Sequence, residues 1–434
     1  MPKFRDPIHG FIYATDLETK IIDSAPFQRL RNIKQLAMSN LVYHGAEHTR
    51  FGHSLGVMHL VDRAFKAVLS NYKEQTGQDL FDEKKALFYC QILRLIGLTH
   101  DIGHAPFSHA SESVFPNGLS HENFSERIIK ETEIATYIRE IGDDFKNKYG
   151  DEYNITPELI CEIYSGEKSW ENSEYVFLKS FMDGELDCDK MDYLLRDSYY
   201  CGVEYGKYDL NRLISCLTAY KMDGSIPVLA VTNGGIQVIE SFILARYFMF
   251  IEVYFHKTRR FMDLMFTEAL KDILPNSHYP DSVSEYLEWD DCKIWTLMKA
   301  KAKTSKACQH ITAREPLTEI LGTKTHPKSG DKDLYICLRA LLFEKFGRES
   351  FIEDDKAIKM PHKLPKISEE DEEKAIIVWN PKTEKRSTIS SESNILQSLT
   401  ENINLKRLYV KPDVKDQALE YIKERNKQMR ETEK

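Results

Sequence analysis

Nine of the fourteen histidines lie within the first 121 residues: His9, His44, His48, His53, His59, His100, His104, His109 and His121. Chemistry is therefore expected in the N-terminal third. A divalent transition metal needs three or four imidazole or carboxylate ligands converging on one point, with a position left for water. His100 and Asp101 are adjacent, about 100° apart around a helix axis, so both can turn toward one ion only where the helix ends. His53 can approach from the start of another helix. A further ligand is expected from Gly184–Asp197 (GELDCDKMDYLLRD), a densely polar stretch within an otherwise core-like helix. There Asp189, Tyr193 and Asp197, spaced i, i+4, i+8, share a face that could meet a metal at one end and sugar hydroxyls at the other. Spacing alone is weak evidence, because His-Asp pairs are common and His104, four residues after His100, adds little.

The elements that must carry these groups read as helices. Leu55, Val57, Met58, Leu60, Val61, Ala64, Phe65 and Val68 follow a helical period, predicting a helix over 54–71 with His53 at its start. The run over 85–99 is apolar on nearly every face, which predicts a helix through the core delivering His100 and Asp101 at its end. Further helices are expected over 122–139, 185–200, 210–216 and, as one long element, 237–274. Two extended runs around a Gly-centred turn over 220–231 predict a hairpin. Residues 351–374, with Glu353-Asp354-Asp355, Pro361, Pro365 and an acidic run, read as a solvated linker. Strands are expected over 375–379 and 407–410 and a surface helix over 415–426. The division expected is a helical unit over 1–325 and a small α+β region over 326–434.

The length of 434 residues allows two to four units at roughly 100 to 200 residues per domain. With 42% apolar and 29% charged residues the composition is that of a soluble globular chain. No apolar run reaches the roughly 20 residues of a membrane span, and the N-terminal residues lack a secretory pattern, so the expected compartment is the cytoplasm. The eight cysteines form no C-x-x-C pair, which suits free thiols. A net charge of −9 argues against bulk attraction to nucleic acid, and a polyanionic ligand would need a local basic pocket.

Four ordered motifs then carry a family resemblance. Arg50–Gly56 (RFGHSLG), His100–His109 (HDIGHAPFSH), His121-Glu122 and Asp187–Asp197 (DCDKMDYLLRD) resemble, in order, the HD-domain phosphohydrolases. Phe4–Gly10 (FRDPIHG) and Phe27–Leu36 (FQRLRNIKQL) narrow the likeness to the dNTP triphosphohydrolases that include bacterial dGTPase-like enzymes and the mammalian sterile-alpha-motif/HD protein. The resemblance covers about residues 4 to 260. It implies an HD-domain helical core; with the small hairpin and the C-terminal α+β appendage read from the local patterns above, the expected fold is mostly α.

The resemblance also implies roles. The metal ligands would be His53, His100, Asp101 and Asp189, holding one divalent ion (Fe, Mn, Ni or Zn), with Mg2+ accompanying the triphosphate. Cleavage at the α-phosphate would give a deoxynucleoside and intact triphosphate. His109 would be the general acid for the 5′-oxygen, with His104 and His121 completing a histidine cluster and Glu112 standing where the family's orienting Asp is one methylene shorter. Arg50, Lys190 and Arg246 match phosphate-binding positions; Gln35, Tyr193, Asp197 and Tyr254 match those that read sugar and base. Phe250, near Arg246 and Tyr254, reads as core packing. Asp23, Gln28 and Arg31, with His256 and Lys257, match a regulatory nucleotide site between subunits of a dimer or tetramer, activated by GTP or a dNTP. Thr232, Gly234 and Val238 depart from that pattern, and Asp23 with Arg31 reads equally well as a surface ion pair.

Two other readings stay open: another HD phosphohydrolase acting on nucleoside monophosphates or cyclic nucleotides, and a nucleotide-sensing or nucleic-acid-binding protein.

Overall fold

In the computed structural model, which describes residues 1–166, 173–222, 225–360, 375–380, 382–399 and 401–432, many helices begin where a side chain takes up a free backbone N–H. Thr15 and Glu18 form a reciprocal cap on Asp16–Asp23. Asp82 caps Glu83–Thr99 and Asp187 caps Cys188–Cys201. The long helix Arg50–Thr76 ends at Gly77, whose φ of 72° suits a residue without a Cβ.

Two helices make the frame. Glu83–Thr99 is buried along most of its length, as its unbroken apolar run predicts, and it lies against Arg50–Thr76. Gly97 permits the closest approach: a Cβ there would stand 3.1 Å from the Met58 nitrogen. That contact brings the end of one helix, with His100, beside the first turn of the other, with His53. Cys188–Cys201 packs across Arg50–Thr76 and completes the centre.

Among the described residues three small sheets accompany the helices. Strands β1 (Lys3–Asp6) and β2 (Gly10–Tyr13) form an antiparallel hairpin. The expected second hairpin exists as β3 (Leu217–Tyr220) and β4 (Val228–Thr232), with Tyr220 opposite Val228; turn residues 223–224 lie outside the described ones. Strand β5 (Thr318–Gly322) and β6 (Phe351–Lys359) flank β9 (Ile403–Val410) on either side. Strand β7 (Ile377–Asn380) runs parallel to β4 and antiparallel to β8 (Lys385–Thr388), so C-terminal residues extend the hairpin's own sheet. The architecture is mostly α with small sheets.

Several expected boundaries differ. The helix expected over 237–274 is two, Ile236–Met249 and Lys257–Ile273, joined by the π turn Phe250–Tyr254. The chain breaks because His256 leaves helical geometry and its ring accepts the Thr258 N–H at 3.3 Å. The helix expected over 122–139 divides into His121–Glu131 and Glu133–Tyr149 at Thr132, which adopts an extended backbone and caps the second piece. Of the stretch expected to be linker, residues 351–359 are strand β6. Its acidic Asp354 is buried rather than solvated, accepting from Arg260 Nε at 2.9 Å and from a terminal guanidinium nitrogen at 2.7 Å. Residues 361–374 lie outside the described residues.

Candidate metal centre and histidine cluster

The frame brings His53, His100 and Asp189 together, with one ligand atom of each within 4.8 Å of the others. His53 Nε2 stands 3.0 Å and His100 Nε2 3.9 Å from Asp189 Oδ1. Asp101 borders the same point, 3.5 Å from His53 Nε2 and 3.4 Å from His100 Nε2, while also pairing with Arg50. The outer nitrogens are fixed: His53 Nδ1–H donates to Asp192 Oδ2 at 2.8 Å, and His100 Nδ1–H donates to the Gly97 carbonyl at 2.9 Å. Those bonds leave both Nε2 atoms facing inward and buried, with carboxylate oxygens at 3.0 Å and beyond but no hydrogen bond of good alignment. Imidazoles held from behind, with buried inner nitrogens beside two carboxylates, fit a divalent transition ion. Electrostatics agree. Burial alone would lower the His53 pKa, but Asp189, Asp192 and Asp101 push it up to about 10, so the surrounding carboxylates favour positive charge at this point.

The support beneath His53 comes from residues to which the motifs assign no role. Asp192 accepts from His53, from His9 Nε2 at 2.6 Å, and from Arg196 at 2.7 and 2.9 Å; Arg196 in turn reaches Asp6 Oδ2 at 2.9 Å. All are buried side chains, and burial of such charges is tolerable only because each is paired. Gly56 makes room: a Cβ there would come within 1.9 Å of Asp192 Oδ1. The available signal was Asp192 and Arg196 at i, i+4 within a motif already singled out, with Asp6 and His9 in the opening one.

A second cluster lies beside the first. Ring nitrogens of His104, His109 and His121 also fall within 4.8 Å of one another. His104 and His121 stack at 3.9 Å with planes 16° apart, and His109 stands edge-on to both. Lone pairs lie in the ring planes, so two nearly parallel rings do not aim at one ion; this arrangement suits proton handling better than ligation. Glu112 Oε1 accepts from His109 Nδ1 at 2.7 Å and lies 2.9 Å from His121 Nδ1. Against the effect of burial, those two rings hold Glu112 below the usual carboxylate range. Burial, with Arg50 and His121 nearby, holds His104 well below the usual imidazole range. His104 Nε2 is 3.3 Å from Asp101 Oδ1, which joins the two clusters. The His109 side chain is 63% exposed.

The remaining predicted residues fall into three groups. Arg50 pairs with Asp101 and donates to Ser108 Oγ at 2.7 Å; Lys190 pairs with Asp187; Arg246 is 3.3 Å from Glu185 and lies over the Phe250 ring. Each expected phosphate cation thus already faces a carboxylate. On another side Asp197 accepts from Tyr254 Oη at 2.7 Å and from His48 Nε2 at 2.8 Å, and Gln35 N donates to the His48 carbonyl. Tyr193 sits edge-on to Tyr254 at 6.3 Å, and Gln35 Oε1 is buried without a partner. His48 is one of the clustered N-terminal histidines to which no motif assigns a role. Of the regulatory set, Arg31 donates to Gln28 at 2.7 Å and lies 3.6 Å over the Phe51 ring, while Asp23 is exposed. No ion pair joins Asp23 to Arg31 among the described residues. His256 caps Lys257–Ile273, and the Lys257 carbonyl accepts from Tyr409 Oη at 2.8 Å.

Comparison with known proteins bears on these geometries. The HD domain family matches residues 50–164 and the HD associated region matches 208–324; Asp189 lies between them. The uncharacterized protein YwfO of Bacillus subtilis is 34% identical over 269 residues, 62% of this chain and 54% of that protein. The deoxynucleoside triphosphate triphosphohydrolase SAMHD1 of Gallus gallus is 30% identical over 287 residues, 62% of this chain and 45% of that one. The chain thus spans about half the length of these curated relatives. A hypothetical protein from Aquifex aeolicus superposes with a TM-score of 0.77 and 30% identity over 97% of this chain and 99% of that one. A phosphohydrolase from Bacteroides thetaiotaomicron superposes with a TM-score of 0.68 and 25% identity, covering 94% and 99%. Among the described residues no helix is long and apolar enough to cross a membrane.

Proposed function

The chain belongs to the HD-domain family, and on that footing we propose that it is a metal-dependent dNTP triphosphohydrolase, converting a dNTP to deoxynucleoside and triphosphate. The observation that carries the reading is the pair of buried inner nitrogens on His53 and His100, facing Asp189, next to a proton-handling trio of histidines. His53, His100, Asp101 and Asp189 would hold one ion (iron, manganese, nickel or zinc), whose chemistry is to polarise a phosphoryl oxygen and activate water.

This chain's own residues then supply the rest. His109 gives a proton to the departing 5′-oxygen as the bond at the α-phosphate breaks, and Glu112 orients its ring through Nδ1, leaving Nε2 to carry that proton. His104 and His121 flank the phosphate. Arg50, Lys190 and Arg246 exchange their carboxylate partners for phosphate oxygens. Asp197, held from both sides by Tyr254 and His48, meets the 3′-hydroxyl, with Gln35 and Tyr193 beside the sugar and Tyr254 also packing on it. Activation by GTP or a dNTP at Asp23, Gln28, Arg31, His256 and Lys257, and a dimer or tetramer, belong to the same reading.

One observation favours a smaller anion. Arg50, Lys190 and Arg246 each have an acidic partner, so the pocket holds less uncompensated positive charge than three cations suggest, and a monophosphate or cyclic nucleotide would ask for less. Product identification separates the two. Metal-loaded protein is incubated with each dNTP, with and without GTP, and with nucleoside monophosphates and cyclic nucleotides. Deoxynucleoside plus triphosphate is expected; diphosphate release, or cleavage of monophosphates alone, overturns the proposal.

A further inference from the structure

We infer that Asp291, far along the chain from both clusters, is a positioning residue whose buried carboxylate clamps the loop bearing His104 and His109 to the segment bearing Gln35. One carboxylate oxygen accepts the Phe107 N–H at 2.7 Å and the other accepts the Lys34 N–H at 2.9 Å. Phe107 lies between His104 and His109, and Lys34 immediately precedes Gln35. A single side chain thus ties two walls of the site together.

Three observations separate this role from ordinary packing. First, the helix Asp291–Lys301 does not need Asp291 as its cap, because Asp290 already accepts the Lys293 N–H at 2.8 Å. Second, the loop it grips is in a costly conformation: Phe107 and Ser108 are consecutive non-glycine residues with φ of 57° and 54°, which persist only where the surroundings over-determine them. Third, the grip is reinforced from the same directions. Ser108 Oγ donates to the Lys34 carbonyl at 2.6 Å, and Tyr286 Oη donates to the Gly103 carbonyl at 2.7 Å. Asp291 is 6% exposed, and among the described residues no ion pair compensates its charge. Burial accordingly pushes its carboxyl up to about 7, against the two backbone donors. A buried carboxylate held at that cost, spent on two backbone amides from site-bearing segments, is what a clamp requires.

The inference rests on the reading that His109 and Gln35 face the substrate, and its test keeps the two apart. Asp291→Asn and Asp291→Ala are made in the full chain. For each, kcat and KM with a dNTP, bound metal per chain, melting temperature and amide hydrogen exchange are measured. The expected result is a fall in kcat of about 100-fold for Ala and less for Asn, since small misplacements near the chemistry are costly, with metal content unchanged. Exchange should quicken across 104–109 and 33–35 while Arg50–Thr76 stays protected. If the Ala variant does not fold, the Asn variant decides. Wild-type kcat in a folded variant overturns the inference, as does a fall in kcat matched by equal loss of metal. Should the wild-type protein cleave no nucleotide, the functional reading fails by itself; exchange then decides the clamp, and unchanged exchange at both segments overturns it.

Discussion

The two clusters at the centre of this protein are built differently. His53, His100 and Asp189 stand on or at the end of regular helices, and the two imidazoles are fixed from behind by Asp192 and the Gly97 carbonyl. His104 sits on an irregular loop that runs on through two consecutive left-handed residues, and His109, in the first turn of the short 3-10 helix Ser108–Val114, is largely exposed. Rigid elements suit a group that must hold one geometry to bind an ion; a loop suits a group that must meet a substrate and let the product go. Metal retention and turnover should therefore come apart on mutation.

The largest effects break the first region. Asp189→Ala or His100→Ala should abolish turnover and the bound metal together, checked by metal analysis and product assay on the same preparation. Next comes the second region alone: His109→Ala should keep its metal while kcat falls by about 10²- to 10⁴-fold, the usual worth of a general acid. A wild-type kcat there would remove His109 from the chemistry. Asp192→Asn sharpens the comparison by loosening the support without touching the ligands; metal affinity should fall about 10- to 100-fold, measured by competition with a chelator. The smallest effect belongs to the sugar side. Tyr254→Phe loses one hydrogen bond to Asp197 and should raise KM by about tenfold, from roughly 1.5 kcal/mol for a bond to a charged group, with little change in metal content.

Much of the frame was legible in the residues because its signals are local. The helical period of Leu55–Val68 and the unbroken apolar run before His100 predict the two helices that meet at Gly97. The candidate ligands were legible mainly through ordered motifs that resemble a family, since spacing alone left the His-Asp pair ambiguous. What sequence did not show depends on residues distant in the chain. His9 reaches Asp192 across 183 residues and Asp6 reaches Arg196 across 190, and Asp291 reaches Lys34 across 257 and Phe107 across 184. Strand β6 was misread because Glu353-Asp354-Asp355 has the composition of a solvated run, and only the fold supplies Arg260 to neutralise Asp354 inside. The break at His256 was hidden for a similar reason: a histidine ring acting as a helix cap has no distinctive sequence pattern.

The most direct test of the central claim is the metal content of three freshly purified proteins, wild type, Asp189→Ala and His109→Ala, measured by elemental analysis per folded chain. The account predicts about one divalent ion in the wild type, none in Asp189→Ala and an undiminished amount in His109→Ala. Equal metal in wild type and Asp189→Ala, or loss of metal on removing His109 alone, would contradict it.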